Sequence, residues 1–202
     1  GCAGAGGPAG LELAKPETTG SIEKSAAPAT AKDSLVALAR AHAEKPGDQQ
    51  AAVAYAQGLK SAGKTREAVA VLDGLPDAGK GTLLVQRGLL ALEAGEAGKA
   101  RRLLEQASPE TTKDWRVLSA LGVAEASAGQ QAKAQGYFKK ALALSPNNPV
   151  VLNNMGLSLI LDSKVAEGEA MLRNASKGTG SEPRIGGNLA LASALGKDGK
   201  AA

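Results

Sequence analysis

The residues that could do chemistry are few, and their surroundings decide against each. Residues 58–65 read GLKSAGKT, a literal match to the phosphate-loop pattern G-x-x-x-x-G-K-[ST]. That loop cradles phosphates on backbone N–H groups, and it needs a strand before it and a helix after it. Here an Ala-rich helical pattern precedes Gly58, and no run anywhere in the chain reads as a parallel sheet, so no nucleotide site is expected. His42 is the single histidine and Cys2 the single cysteine. Neither has the partners that a metal site or a nucleophile–base pair requires. His42 is expected on a solvated helix face. Glu167 and Glu169 lie two apart on a helix, on different faces, so they do not form an acid–base pair. An enzyme is not expected, nor a cofactor, a metal or a small-molecule substrate.

What remains is a set of side chains suited to gripping a polypeptide: amides and apolar residues at a fixed spacing. Taking Trp115 as position 1 and stepping by 34, the small residue at position 8 reads Gly88, Gly122, Gly156 and Ala190. Position 20 reads Ala100, Ala134 and Gly168, and position 27 reads Ala107, Ala141 and Ala175. A large residue recurs at position 24 as Leu104, Phe138 and Leu172, and another at position 4 as Leu84, Leu118 and Leu152. The turn at position 15 reads Gly95, Gly129 and Ser163. Each period is two amphipathic helices, A and B. Small residues let them approach, and large ones fill the space beside that contact.

An earlier copy fits with two residues fewer: Ala56, Gly63, Ala68 and Leu72 take positions 8, 15, 20 and 24. Leu75 departs from the small residue expected at position 27. Before it, Asp33 is expected to cap a helix through Ala43, with Leu38, Ala41 and Pro46 at positions 24, 27 and 32. After the fourth copy, Arg184 to Leu195 matches a first helix alone. The pattern resembles the tetratricopeptide (TPR) repeat, whose period is about 34 residues. The expected fold is therefore all-α, a TPR solenoid of four helix-turn-helix repeats at 49–80, 81–114, 115–148 and 149–182. A lone helix flanks them at each end, the last one capping at 183–196, and the solenoid as a whole spans 32–202. Such a core is continuous, because each repeat buries its face against its neighbours.

Composition agrees. Of 202 residues 43% are hydrophobic and only 2% aromatic, which suits Ala/Leu helices. The net charge of +4 is scattered, and with so few aromatics no base-stacking platform exists. Nucleic acid is not an expected partner. No run of 18 apolar residues is present, so no spanning helix is expected.

Residues 1–31 are rich in Gly, Pro, Ala, Ser and Thr without an apolar period, and read as a flexible linker. Fully extended it would reach on the order of 100 Å. Gly1-Cys2 followed by small residues resembles the end of a bacterial lipoprotein processing site, with Cys2 as the lipidated first residue. Ala3 after it implies, by the same resemblance, the outer membrane. Two or more acyl chains are what stable anchoring requires.

In TPR proteins the A helices line the concave wall, so the expected peptide-binding groove follows from the frame. Position 9 reads Leu89, Val123, Leu157 and Leu191; position 12 reads Leu92, Ala126, Ile160 and Ala194. Val85 and Val150 widen this apolar stripe into a groove for an amphipathic or extended peptide. Position 6 reads Ala54, Gln86, Ala120, Asn154 and Asn188, and Asn153 adjoins it. An amide there can both donate to and accept from a ligand backbone. Arg116 and Arg184 at position 2 are expected to meet a partner's acid.

Residues 152–176, LNNMGLSLILDSKVAEGEAMLRNAS, and 183–196, PRIGGNLALASALG, are similar to the TPR lipoprotein family of tight-adherence (Tad/Flp) pilus assembly, TadD. Gly186 departs from the larger residue that family places there. The resemblance implies a non-enzymatic outer-membrane lipoprotein facing the periplasm, a pilotin that binds the pilus secretin or another pilus subunit. Two other readings fit the repeats: a general periplasmic TPR adaptor for envelope enzymes or polysaccharide export, and a cytosolic TPR chaperone of secretion substrates.

Overall fold

The computed structural model describes residues 31–75, 81–107, 113–178 and 183–198, and all regular structure within them is helical. Ten helices follow one another: α1 (Ala31–Glu44), α2 (Gln49–Ser61), α3 (Thr65–Asp73), α4 (Gly81–Glu93), α5 (Ala97–Gln106), α6 (Trp115–Ser127), α7 (Gln131–Leu144), α8 (Pro149–Leu161), α9 (Val165–Ser176) and α10 (Pro183–Asp198). Helices α2/α3, α4/α5, α6/α7 and α8/α9 pair as antiparallel A/B hairpins. Cys2 and the rest of the N-terminal segment lie outside the described residues.

The A helices α2, α6 and α8 begin with side-chain caps. Asp48 Oδ1 accepts from the Ala51 N–H at 2.9 Å. Asp114 accepts from the Arg116 N–H at 2.9 Å. Asn148 accepts from the N–H groups of both Val150 and Val151, with Pro149 opening α8. Each cap satisfies an N–H that the first helical turn leaves unpaired. The B helices α3, α5, α7 and α9 have no such cap. Their starts are set by how the preceding A helix stops. Gly63, Gly95, Gly129 and Ser163 adopt φ of 75°, 83°, 75° and 62°. The next residue's N–H bonds back to the third-last carbonyl of the A helix: Lys64 to Leu59, Glu96 to Ala91, Gln130 to Glu125 and Lys164 to Leu159, at 2.8–2.9 Å. This left-handed stop satisfies the orphaned carbonyls and turns the chain back on itself. GLKSAGKT is therefore the end of α2, its turn and the first residue of α3, with Lys64 Nζ on Glu67 rather than free for phosphate.

Within each hairpin the helices cross at position 8. A Cβ on Gly122 would fall 2.5 Å from a ring carbon of Phe138, and one on Gly88 2.6 Å from Leu104 Cγ. At Gly156 it would meet both the Gly168 carbonyl and Leu172. Phe138, Leu104 and Leu172 are fully buried, as are Ala100, Ala134, Ala141 and Ala175. Between hairpins the core continues through position 3, where Leu83, Val117, Val151 and Ile185 are all buried. The frame above takes position 4 as the recurring large residue; position 3 is the more uniformly buried, since Leu84 is only partly covered.

Four local expectations are corrected. α1 starts at Ala31, so Asp33 lies inside the helix and not at its cap. His42 is half-buried and stacks on Tyr55 with ring centroids 5.7 Å apart, because α1 lies against α2. Leu75 packs well: α3 ends at Asp73, so Leu75 falls past the helix and joins Leu72, Leu83 and Leu90 in the core. Gly186 needs no larger side chain, since a Cβ there meets nothing within 4 Å.

Candidate peptide-binding face

The A helices form the inner wall. α4 meets α6, α6 meets α8 and α8 meets α10 directly, while successive B helices are kept apart by the A helix between them. The side with the closer neighbours is the concave one.

Between α2, α4 and α6 this wall holds two adjoining hollows. The first, about 210 Å³, is lined by Val53, Gln57, Lys60, Gln86, Leu89 and Glu93, with Leu72 and Leu90 beneath. The second, about 380 Å³, is lined by Thr82, Val85, Gln86, Leu89, Asp114, Arg116 and Val117. Gln86 and Leu89 belong to both. The floor is apolar and the charges at the rims are paired. Lys60 Nζ reaches Glu93 Oε1 across the two A helices at 2.7 Å. Arg116 holds Asp114 through Nε and Nη2 at 3.0 and 2.7 Å. The Arg116 hydrogen bonds keep the Asp114 carboxyl below its ordinary value near 3.8, and partial burial opposes them. At the junction of the hollows, Gln86 Oε1 is buried and accepts no hydrogen bond. An unsatisfied buried acceptor of this kind is costly until a donor arrives.

Between α6, α8 and α10 the same wall is closed by its own amides. Asn188 Nδ2 donates to Asn153 Oδ1 at 2.8 Å. Asn153 Nδ2 donates to Asn154 Oδ1 at 3.2 Å, and Asn154 Nδ2 reaches Ser119 Oγ at 3.5 Å. This ladder crosses three A helices. Below it, Ser158 Oγ donates to Gln131 Oε1 at 2.7 Å, and Gln135 Nε2 donates to Asp162 Oδ2 at 3.1 Å.

The expected site residues thus divide. Val85, Leu89 and Arg116 come together in the N-terminal hollows, although Arg116 is held by its own cap residue. Leu92 is half-buried beside them, packed with Val85 and Leu89 against the cluster of Leu104, Val117 and Leu121. Val123 is half-buried against the Phe138 cluster. Val150 and Leu157 are also half-buried, and the exposed Arg184 stands at the start of α10. Three expectations change. Asn153 is only 1% exposed and cannot face a ligand, because its amide is enclosed between Asn154 and Asn188. Asn154 and Asn188 each place one of their two amide N–H groups inside the ladder. Ile160 lies in the α8/α9 seam, its Cγ1 at the Gly168 crossing, and not on the wall. Leu191, 59% exposed, stands apart on the last helix. Expectation from the stripe missed Val53, Gln57, Lys60 and Glu93. It also passed over Gln86, although position 6 of the frame already marked it.

Comparison with known proteins decides the repeat type. Residues 115–148 match the tetratricopeptide repeat family. The fold is a TPR solenoid. Pseudomonas aeruginosa pilF superposes with a TM-score of 0.64 at 21% identity, over 84% of this chain and 78% of that one. MamA from Desulfovibrio magneticus RS-1, residue 41 to the end, gives 0.63 at 18% identity, over 73% of this chain and 84% of that one. At such identities these likenesses concern the fold alone. Over 62 residues the chain is 44% identical to the cellulose synthase operon protein C of Escherichia coli (strain K12). That stretch is 31% of this chain and 5% of the relative's length. TPR repeats are protein-interaction scaffolds, and a solenoid of repeats offers an extended concave surface for binding.

Proposed function

We propose that the N-terminal half of the concave wall grips an extended, uncharged and apolar stretch of a partner protein, and that this capture serves Tad/Flp pilus assembly. The observation that carries the reading is the pair of hollows sharing Gln86 and Leu89. Each accepts one apolar side chain. The buried Gln86 Oε1 between them is placed for a backbone N–H of the partner, which desolvation would make strong. The paired rim charges leave the groove without net charge, so an apolar stretch fits it better than an acidic or basic one. The resemblance of residues 152–176 and 183–196 to the Tad lipoprotein family points to the pilus secretin or another pilus subunit as the partner. Cys2, lipidated, would tether the scaffold to the outer membrane, facing the periplasm.

The test is capture of the secretin by the full chain. Leu89→Asp and Gln86→Met are expected to lower capture at least tenfold, while Leu157→Asp, on the half closed by the ladder, changes it little. Equal capture by all three variants moves the site off the N-terminal hollows. For the anchor, Cys2→Ser is expected to release the protein from the outer-membrane fraction; retention there, with pili still formed, ends that part of the reading. The 62-residue likeness to the cellulose synthase operon protein favours a second reading, an adaptor for polysaccharide export. Capture of an export component in place of the secretin, through the same Leu89 and Gln86, would select it.

A further inference from the structure

The two lone helices are not equivalent caps. In the repeat frame the B helices α3, α5, α7 and α9 all start at position 17, at Thr65, Ala97, Gln131 and Val165. α1 starts at Ala31, which is also position 17 when Leu38 and Ala41 hold positions 24 and 27. The A helices start at position 1, at Gln49, Gly81, Trp115 and Pro149, and α10 starts at the corresponding Pro183. The described residues therefore form a B half, four complete A/B hairpins and an A half.

Burial follows the same division. In complete hairpins, positions 20 and 27 of the B helix press on their own A helix: Ala68, Ala100 and Ala134 at position 20 and Ala141 and Ala175 at position 27 are fully buried. In α1 the equivalent Ser34 and Ala41 are exposed, and Leu38 is half-exposed where Leu104, Phe138 and Leu172 are fully buried. Yet α1 does pack on the following helix, through Leu35 and Leu38 against Gly58. Only its own-A face is open. α10 is the mirror case. Ile185 and Ala192, which face the preceding repeat, are buried. Gly186 and Ala190, at positions 4 and 8, are exposed, where Leu118, Leu152, Gly122 and Gly156 are buried. Leu191 and Leu195 stand beside them at 59% and 42% exposure.

We propose that the open face of α10 binds the open face of α1 in a second copy of this chain, so that the two halves complete a fifth hairpin and the solenoid runs on from one molecule into the next. The seam would repeat the one already seen four times. Leu38 would lie over Ala190 as Leu172 lies over Gly156. Ser34, small, would sit against Ala190 and Ala194 as Gly168 sits against Gly156 and Ile160. A second copy is the occupant because the missing half is present at the chain's own other end, in frame and with its matching face uncovered. The contact is heterologous, with different surfaces on the two partners, so it propagates head to tail rather than stopping at a two-fold dimer. A single helix seam is smaller than the roughly 1,000 Å² typical of stable interfaces, so association is expected at protein concentrations on the order of 10⁻⁴ M.

The experiment is sedimentation equilibrium of the full chain under reducing conditions across that range. The weight-average mass is expected to rise past that of a dimer. Ala190→Arg blocks one end and Ala41→Arg the other. Each alone should stay monomeric, and an equimolar mixture should form dimers and nothing larger, since one intact end of each kind remains. Should Ala190→Arg fail to fold, Leu191→Glu blocks the same face. A monomeric wild type at that concentration overturns the proposal. So does association that saturates at a dimer, single variants that assemble like the wild type, or a mixture that does not pair. Secretin capture through Leu89 is read separately and is not altered by either outcome.

Discussion

From α2 to α6 the concave wall is apolar and open, with paired charges at its rims; from α6 to α10 the same register carries Ser119, Asn153, Asn154 and Asn188, bonded to one another. The backbone geometry of the two halves is alike, with the same left-handed stop after each A helix and the same crossing at position 8. The difference lies in two positions per repeat. Position 5 changes from Val53 and Val85 to Ser119 and Asn153, and position 6 from Ala54 and Gln86 to Asn154 and Asn188. Amides on consecutive A helices find each other first, because neighbouring A helices touch. Gln86 has alanine, Ala54 and Ala120, at its own position on the A helices to either side, and its buried Oε1 finds no donor. The same residue chemistry is thus structural where it recurs in register and available where it stands alone.

The sharpest way to break this comparison is to loosen the closed half and see whether the open half notices. Phe138→Ala is expected to cost about 3–5 kcal/mol, from lost burial and the cavity left against Gly122. Chemical denaturation reads the cost. Secretin capture measured well below the transition should stay within twofold, because Phe138 packs against Gly122 in the middle of α6, whereas that helix borders the hollows only at its start, through Asp114, Arg116 and Val117; a tenfold fall would show that the halves are coupled.

The next contrast sets one buried amide against another. Asn153→Leu leaves Asn188 and Asn154 without their partner and is expected to destabilise by about 1–3 kcal/mol. Gln86→Met removes an acceptor that has no donor, so stability is expected to hold or rise while capture falls. If both variants lose stability alike, Gln86 is structural and the open half is no different from the closed one.

A smaller effect distinguishes the turns. Gly63, Gly95 and Gly129 hold the left-handed position in the first three repeats, and Ser163 holds it in the fourth. A side chain there is strained by roughly 1 kcal/mol, so Ser163→Gly is expected to raise the unfolding free energy by about that amount. Gly129→Ala should lower it similarly. Thermal or urea unfolding checks both signs.

The smallest effect concerns the rim of the second hollow. The Asp114 carboxyl titrates below its unfolded value because Arg116 donates to it. Its stabilisation is therefore present above the unfolded value near 3.8 and is lost as pH falls through the lower folded value. Arg116 is largely exposed, so only about a few tenths of a kcal/mol is expected, and less at high salt. Comparing the wild type with Asp114→Asn at neutral pH and near pH 3 checks the sign: the difference should shrink in acid.

Much of the scaffold could be read from residue types alone. Small residues at positions 8, 20 and 27 and the large one at position 24 place the helix crossings, because a crossing needs an absent side chain on one helix and a filling one on the other. The turns were legible for the same reason, since a left-handed residue leaves a glycine behind in three repeats of four. The frame also marked Gln86 and the asparagines as one class. It gave no means of separating them, because the bonds that tie the asparagines down, Asn188 to Asn153 and Asn154 to Ser119, join helices 35 residues apart and depend on how closely neighbouring A helices approach.

The periodic spacing of small and large residues by itself determined an all-helical repeat, its hairpin boundaries and the lone helix at each end, because those rest on local sterics that act within a single hairpin. Only the tertiary structure decided which half of the inner wall is open, that Asn153 and Ile160 are interior, and that α1 and α10 leave complementary faces uncovered. Those outcomes depend on the distance between helices of different repeats, and that distance is set by the packing of the whole stack rather than by any one stretch of chain.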